Sequence, residues 1–224
     1  LKPPKIILTE DGSHTLLDMN TGETYHSVHG AIQESEHVFI RKGLDLFKNS
    51  ETAIHIFEVG FGSGLNALLT YLWAGKNKVP VQYKTIELYP VPFETVKHLN
   101  YPRLLNVDEQ LFWKMHKAGN EKTVLSEYFT FQKHEVALRD ARLPSDTFDV
   151  VFFDAFSPGT QPDMWTEENF GKIAYAMKTG GILTTYSTKG DVRRALKANG
   201  FKIEKLPGPP GKREILRAVL RQKF

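Results

Sequence analysis

The sequence predicts an α/β fold: a doubly wound, largely parallel seven-stranded sheet ending in an antiparallel hairpin, with a small β-rich extension at the N-terminal side. Three observations lead there. From residue 54 onward, apolar strand-like runs alternate with helix-like stretches. The last two strand candidates, 201–206 and 214–220, are separated only by 207–213, too few residues for a crossover helix, so they pair antiparallel. At the end of the first strand of this series the chain carries Phe57-Glu58-Val59-Gly60-Phe61-Gly62-Ser63-Gly64-Leu65-Asn66. There a strand runs into three alternate glycines and then a helix. Such a turn brings backbone against a polar ligand where a Cβ has no room.

In chain order, residues 5–27 read as two or three short strands, with turn signals at Glu10-Asp11-Gly12-Ser13 and Asn20-Thr21-Gly22. Residues 29–48 read as a helix with Ile32, Val38, Phe39, Leu44 and Phe47 on or near one face. Strands follow at 54–59, 81–87, 129–138, 148–154, 182–187, 201–206 and 214–220. Helices are expected at 65–73, 91–100, 104–117, 167–177 and 191–199. This divides the chain into an N-terminal extension or flap, 1–50, and a main domain, 51–224.

The 224 residues are 41% apolar and 25% charged, a globular balance. The absence of cysteine excludes a disulfide framework, thiolate catalysis and cysteine-bound metals. No apolar run reaches the length of a membrane span. The start, Leu1-Lys2-Pro3-Pro4, has no signal-peptide character, and a cytoplasmic protein is expected. From Lys189 to Phe224 there are eleven Lys/Arg against three Asp/Glu. That basic end is either a solvated face or a phosphate-binding surface.

Ligands of open parallel sheets bind beyond the C-terminal ends of the strands. Four consecutive strands close there with a carboxylate: Glu58, Glu87, Asp140 and Asp154. Glu87 is placed to take both ribose hydroxyls of an adenosine, and Asp140 to accept from an adenine amino group. Each alone could be a helix cap; four in succession after a glycine turn form a pattern. Asp154 follows the run Val150-Val151-Phe152-Phe153, suited to a buried central strand. The glycine spacing discriminates between cofactors. A dinucleotide turn, G-x-G-x-x-G, needs a small residue where Leu65 stands. The pattern present, E-x-G-x-G-x-G, resembles the cofactor loop of S-adenosylmethionine (SAM) methyltransferases. A Walker sequence and a Gly-x-Ser-x-Gly elbow are both absent. His26, His29 and His37 lack metal-ligand spacing, and no metal is expected.

These blocks together resemble the methyltransferases that finish 5-methylaminomethyl-2-thiouridine at the tRNA wobble position, the methyltransferase half of MnmC and its stand-alone, MnmD-like relatives. Tyr25-His26-Ser27 through Gly30-Ala31 and Glu34-Ser35 to Val38-Phe39 look like that family's entry motif. Gly60 to Asn66 is similar to G-F-G-T-G-L-N. Asp154-Ala155-Phe156-Ser157-Pro158 through Gln161-Pro162-Asp163-Met164-Trp165 is similar to D-G-F-A-P followed by N-P-D-M-W. Gly190 to Arg194 and Gly211 to Glu214 also fit. The resemblance implies a class I SAM-methyltransferase (Rossmann-like) fold. It implies SAM bound by Glu34, Glu58, Gly60, Gly62, Gly64, Asn66, Glu87, Asp140, Ala141 and Asp154. Asp154 is the expected catalytic residue, Phe156, Pro158 and Trp165 wall the substrate, and Lys189, Arg193, Arg194, Lys212 and Arg213 meet tRNA phosphates. The expected partner is tRNA, with a separate oxidase supplying the free aminomethyl group, because the flavin-dependent half of the bifunctional enzyme is not present in this sequence.

The implied reaction moves a methyl group to a primary amine. Orientation can supply up to roughly 7–11 kcal/mol of such a barrier. An amine with a pKa of about 9 must first lose a proton. An ordinary Asp, pKa ~3.9, lies about five units too low to take it, an uphill transfer of ~7 kcal/mol. Asp154 is therefore expected to accept a hydrogen bond from the amine and aim it, and to act as a base only if burial raises its pKa. Two other readings stand beside this one: an aminopropyltransferase of the spermidine synthase kind, or another small-amine methyltransferase, and a non-catalytic RNA-binding module of the same fold.

Overall fold

The computed structural model describes residues 2–221; Leu1 and Lys223, which entered the N-terminal and basic-end readings, lie outside them. Strands β1 (Lys5–Leu8) and β2 (His14–Leu17) form a two-stranded antiparallel sheet, extended by a single pairing of Leu17 with Thr24. Helix α1 (Ala31–Ser35) runs into a wide π turn, Glu36–Arg41, and a 3-10 turn, Leu44–Phe47. The helix expected over 29–48 is broken at Gly43. A Cβ there would lie 2.6 Å from Phe39 O, so the chain turns where only glycine fits.

The main sheet is built from β3 (Ile54–Val59), β4 (Val81–Ile86), β5 (Thr123–Ser126), β6 (Phe129–His134), β7 (Phe148–Phe153), β8 (Met177–Thr185), β9 (Phe201–Pro207) and β10 (Glu214–Leu220). Their order is β5-β6-β4-β3-β7-β8-β10-β9. The strands from β6 to β8 are parallel, and β10 pairs antiparallel with both β8 and β9. The C-terminal hairpin is as expected. The sheet has eight strands among the described residues rather than seven. The addition, β5, is a four-residue edge strand paired antiparallel with β6, too short to register in a periodicity reading.

Between the strands lie α2 (Leu65–Asn77), α3 (Phe93–Val96), α4 (Tyr101–Leu105), α5 (Glu109–Lys117), α6 (Glu167–Ala176) and α7 (Gly190–Ala198). The helix expected over 91–100 shrinks to the single turn α3, because Pro90 and Pro92 precede it and Pro102 opens α4. The one expected over 104–117 splits at Asn106, whose φ is 53°, and restarts where Asp108 accepts from Gln110 N at 2.9 Å.

Alternation along the central strands feeds two cores. Ile56, Val150 and Phe152 face one side, and Phe57, Val59, Val151 and Phe153 the other. Leu16, Ala31, Val38, Phe39 and Leu44 join the first of these cores. Residues before 50 thus pack into the main domain, and this brings residues 18–27 over the C-terminal ends of β3 and β4.

Candidate active site

A cavity of about 660 Å³ opens at the C-terminal ends of β3, β4, β6 and β7. Its floor is the glycine turn. Gly60, Gly62 and Gly64 have φ of 89°, 50° and 76°, values that side-chain-bearing residues rarely adopt. A Cβ on Gly60 would lie 2.6 Å from Asp154 O, and one on Gly62 would lie 3.0 Å from the Tyr25 ring. Gly60 and Gly62 line the cavity. Gly64 does not: it packs beneath, against His116, whose Nε2 donates to Ser63 O at 3.2 Å. That bond fixes the neutral tautomer, and burial pushes His116 down to about 3. His26 backs the turn from the other side, its Nε2 2.9 Å from Ser63 Oγ, and burial holds it at about 4.

Glu87 lies at the end of β4 as expected. Its carboxylate accepts from Gly62 N and from Tyr89 N, each at 2.9 Å. Burial raises its pKa while these amides oppose the shift. The carboxylate oxygens have lone pairs left for a diol in the cavity.

Asp154 sits at the floor, just past β7. Asn66 Nδ2 donates to Asp154 Oδ2 at 2.8 Å. Burial, reinforced by the Glu34 charge, pushes its carboxyl up to about 7, against the opposing pull of Asn66 and Lys212. Asn66 is itself buried and does not line the cavity, and in this structure it positions Asp154. Glu58 is fully buried and also lies outside the lining. Thr85, Asn66 and Tyr83 face its carboxyl without closing a hydrogen bond of ordinary geometry. Burial first, then Asp154, raises it to about 8, so Glu58 is neutral at pH 7. It supports the floor from below.

Other expected contacts fall away from the cavity. The third strand stops at His134, and Asp140 N and Ala141 N both bond back to Ala137 O at 3.0 Å. This helical turn leaves Val136, Ala137 and Leu138 on the lining, Ala141 in the core, and Asp140 in solvent beside Arg139. Trp165 is buried against Phe153 and Phe170, and its Nε1 donates to Phe156 O at 2.8 Å. It holds the Phe156 loop, and Phe156 itself lines the cavity, edge-on to Tyr25. Pro158 does not reach the lining.

The basic residues divide. Lys189, Arg193, Arg194 and Arg213 lie outside the cavity, with Arg194 paired to Asp191. Lys205, hydrogen-bonded to Glu214, holds that carboxyl below its ordinary range, and the nearby charges of Arg213 and Arg193 add to this. The start of α7 and the β9–β10 loop therefore adjoin. Lys212 departs from the phosphate-binding expectation. Its ammonium turns into the cavity, 2.6 Å from Glu34 Oε1 and 4.4 Å over the Tyr186 ring.

Three residues of the site went unread in the sequence. Tyr186 follows β8 directly, so the strand-end rule extended to one more strand would have found it. Gln161 lies in the block quoted for the resemblance and accepts from Phe156 N at 3.2 Å. Glu23 has no local signal. Its two oxygens accept from Ser157 N at 2.9 Å and Ser157 Oγ at 3.0 Å across more than a hundred residues.

Residues 109–221, half of the chain, match the sequence pattern of the S-adenosyl-L-methionine-dependent methyltransferase family. The chain belongs to that family. A glycine cradle closed to any Cβ and a free-edged acid at the second strand fit its cofactor. Among relatives of the methyltransferase, the tRNA 5-methylaminomethyl-2-thiouridine biosynthesis bifunctional protein MnmC of Azoarcus sp. (strain BH72) is 32% identical over 97% of this chain and 35% of its own length. MnmC of Leptospira interrogans is 30% identical over 94% and 34%. The methyltransferase thus spans about a third of the length of the curated relatives it matches. In structure it is similar to MnmC2 from Aquifex aeolicus, with a TM-score of 0.74 and 28% identity over 100% of this chain and 72% of that one. Spermidine synthase from Thermotoga maritima, at a TM-score of 0.59 and 11% identity over the same shares, has the same fold. Among the described residues no helix is long and apolar enough to cross a membrane, and no three metal-ligating side chains come together.

Proposed function

We propose that the methyltransferase methylates the primary amine of 5-aminomethyl-2-thiouridine at the tRNA wobble position, giving the 5-methylaminomethyl form. The names of its MnmC relatives support the RNA. The single observation that carries the amine chemistry is the Asp154 carboxyl, oriented by Asn66 on the cavity floor and raised to about 7. When bound, SAM supplies an electrophilic methyl carbon. Asp154 accepts a hydrogen bond from the amine and aims its lone pair. With its pKa at about 7, taking a proton from an amine of about 9 is uphill by ~2.7 kcal/mol, against ~7 for an ordinary Asp. That difference makes Asp154 a workable proton acceptor as well as an anchor. Phe156 and Tyr25, packed edge to face with ring centres 5.0 Å apart, exclude water from the reacting end. Glu34, Gly60, Gly62 and Glu87 are the proposed cofactor contacts.

Lys189, Arg193 and Arg213 are proposed to meet tRNA phosphates. Replacing Arg193 with Ala should weaken tRNA binding a few-fold and lower its log–log salt slope by about one. A separate oxidase that exposes the aminomethyl group is the proposed partner. The deciding experiment is incubation of the protein and SAM with tRNA carrying 5-aminomethyl-2-thiouridine, followed by nucleoside analysis. Appearance of the 5-methylaminomethyl nucleoside supports the reading; its absence, with SAM bound, sinks it.

A further inference from the structure

The cavity also holds an ion pair, buried Glu34 with half-buried Lys212, that has no part in the proton transfer. The Glu34 side chain is 6% exposed and that of Lys212 28%. Both line the cavity beside Gly60 and Asp154, and both charges act on the Asp154 carboxyl. Each is held in place. Glu34 Oε2 accepts from Ser27 N at 2.7 Å, which leaves Oε1 toward Lys212. The Lys212 ammonium lies over Tyr186, whose hydroxyl is tied to Ala155 O at 2.9 Å. The loop carrying Lys212 closes through Lys212 N to Pro209 O at 2.9 Å and Gly208 N to Arg213 O at 3.1 Å. Its tip, Gly211 with φ 81°, sits against His29, where a Cβ would overlap the ring. The loop is thereby seated on the chain just before α1, and α1 carries Glu34.

The cavity thus has a negative and a positive group side by side, in addition to Glu87, the acid proposed for the diol. SAM ends in an α-amino acid, which presents an ammonium and a carboxylate at matching separation. We propose that Glu34 and Lys212 together receive this zwitterion, Glu34 taking the ammonium and Lys212 the carboxylate, and that Lys212 thereby selects SAM over its decarboxylated analogue. With the zwitterion bound, four charges alternate in sign, each in a charge-assisted hydrogen bond. The decarboxylated analogue brings its ammonium beside Lys212 with no anion between them, a like-charge contact in a partly buried site. The aminopropyltransferase reading of the sequence requires that analogue, so this pair separates two chemistries on one fold. The inference rests on the family's cofactor and not on the RNA substrate, and its test contains no reaction.

The test is calorimetric titration of the wild type, Lys212→Met and Lys212→Arg with four ligands: SAM, S-adenosylhomocysteine, decarboxylated SAM and 5′-methylthioadenosine, which lacks the amino-acid end. The wild type should prefer SAM over decarboxylated SAM by about tenfold or more. Lys212→Met should lose about tenfold in affinity for SAM and S-adenosylhomocysteine and bind decarboxylated SAM at least as well as the wild type does, because Glu34 then lacks a competing cation. Lys212→Arg should restore most of the preference. Binding of 5′-methylthioadenosine should stay within about twofold in every variant, and so reports the intact fold. Equal losses for all four ligands, or an unchanged ratio of SAM to decarboxylated SAM in Lys212→Met, overturns the proposal. So does a loss of tRNA affinity in that variant with cofactor affinities intact, which would return Lys212 to a phosphate-binding role.

Discussion

The floor and the roof of the cavity are built in opposite ways. The floor comes from strand ends: Gly60 and Gly62 after β3, Glu87 after β4 and Asp154 after β7, with Glu87 held by the glycine turn and Asp154 by Asn66 at the start of α2. The roof and rim come from segments distant in the chain. Glu23 and Tyr25 reach the loop after β7, and Lys212 reaches Glu34 from the opposite terminus. The floor presents a bare backbone and an acid with lone pairs to spare. The roof sets the shape and charge of the rest of the cavity. Local sequence builds the first, and long-range contact builds the second.

The sharpest way to break this division is at the floor. Asp154→Asn keeps the Asn66 neighbourhood but removes the proton acceptor. Turnover is expected to fall by about 10²–10⁴, and the rise in rate through pH about 7 should disappear with it. Single-turnover rates across pH measure both; a variant that keeps the wild-type rate and profile would remove Asp154 from the chemistry. Next in size is Gly60→Ala. Its φ of 89° and the 2.6 Å approach of Asp154 O leave no place for a methyl group. The expected loss is about 2–4 kcal/mol in urea unfolding, together with weakened SAM binding.

The buried acids under the floor give a third, smaller effect. Glu58 and Asp154 are raised to about 8 and about 7 when folded, so the native state holds protons that the unfolded chain has released. Stability contributed this way is lost as pH rises. His26 and His116, depressed to about 4 and about 3, act in the other direction: neutral when folded, they lose stability as pH falls below ~6.5. Between pH ~6.5 and ~8 the acids alone titrate, and the ligand-free protein should lose about 2 kcal/mol. Glu58→Gln should remove most of that slope, as read by urea midpoints at several pH values. An unchanged slope would show that Glu58 is ionised in the fold. The smallest effect belongs to the roof. Glu23→Gln weakens the two bonds to Ser157. Turnover should fall about tenfold with SAM affinity within about twofold. An equal fall in SAM affinity would make the roof part of the cofactor site and blur the comparison.

How much was legible follows the same line. β3 and β10 match their expected bounds residue for residue: each is rich in β-branched and aliphatic residues and meets a glycine-containing turn at one end. Glu87 and Asp154 were legible because a parallel strand delivers its last side chain to a known place. Asp140 obeyed the same rule in sequence and failed in space. Its strand ended six residues earlier, and a turn anchored on Ala137 O carried it into solvent. Trp165 and Asn66 were expected at the ligand and instead hold the residues that line the cavity.

Taken alone, the amino-acid order determined the alternation of strands and helices, the antiparallel ending, the glycine turn and the place of two of the four strand-end acids on the cavity. These depend on hydrophobic period and on backbone torsions, both of which are properties of neighbouring residues. The tertiary structure alone decided that Lys212 turns inward to Glu34, that Glu58 is neutral, that Asp154 titrates near 7, and that Glu23 ties the first segment to the loop after β7. Each of these depends on burial and on partners far along the chain. Desolvation and charge pairing act through space, and a linear pattern does not hold those distances.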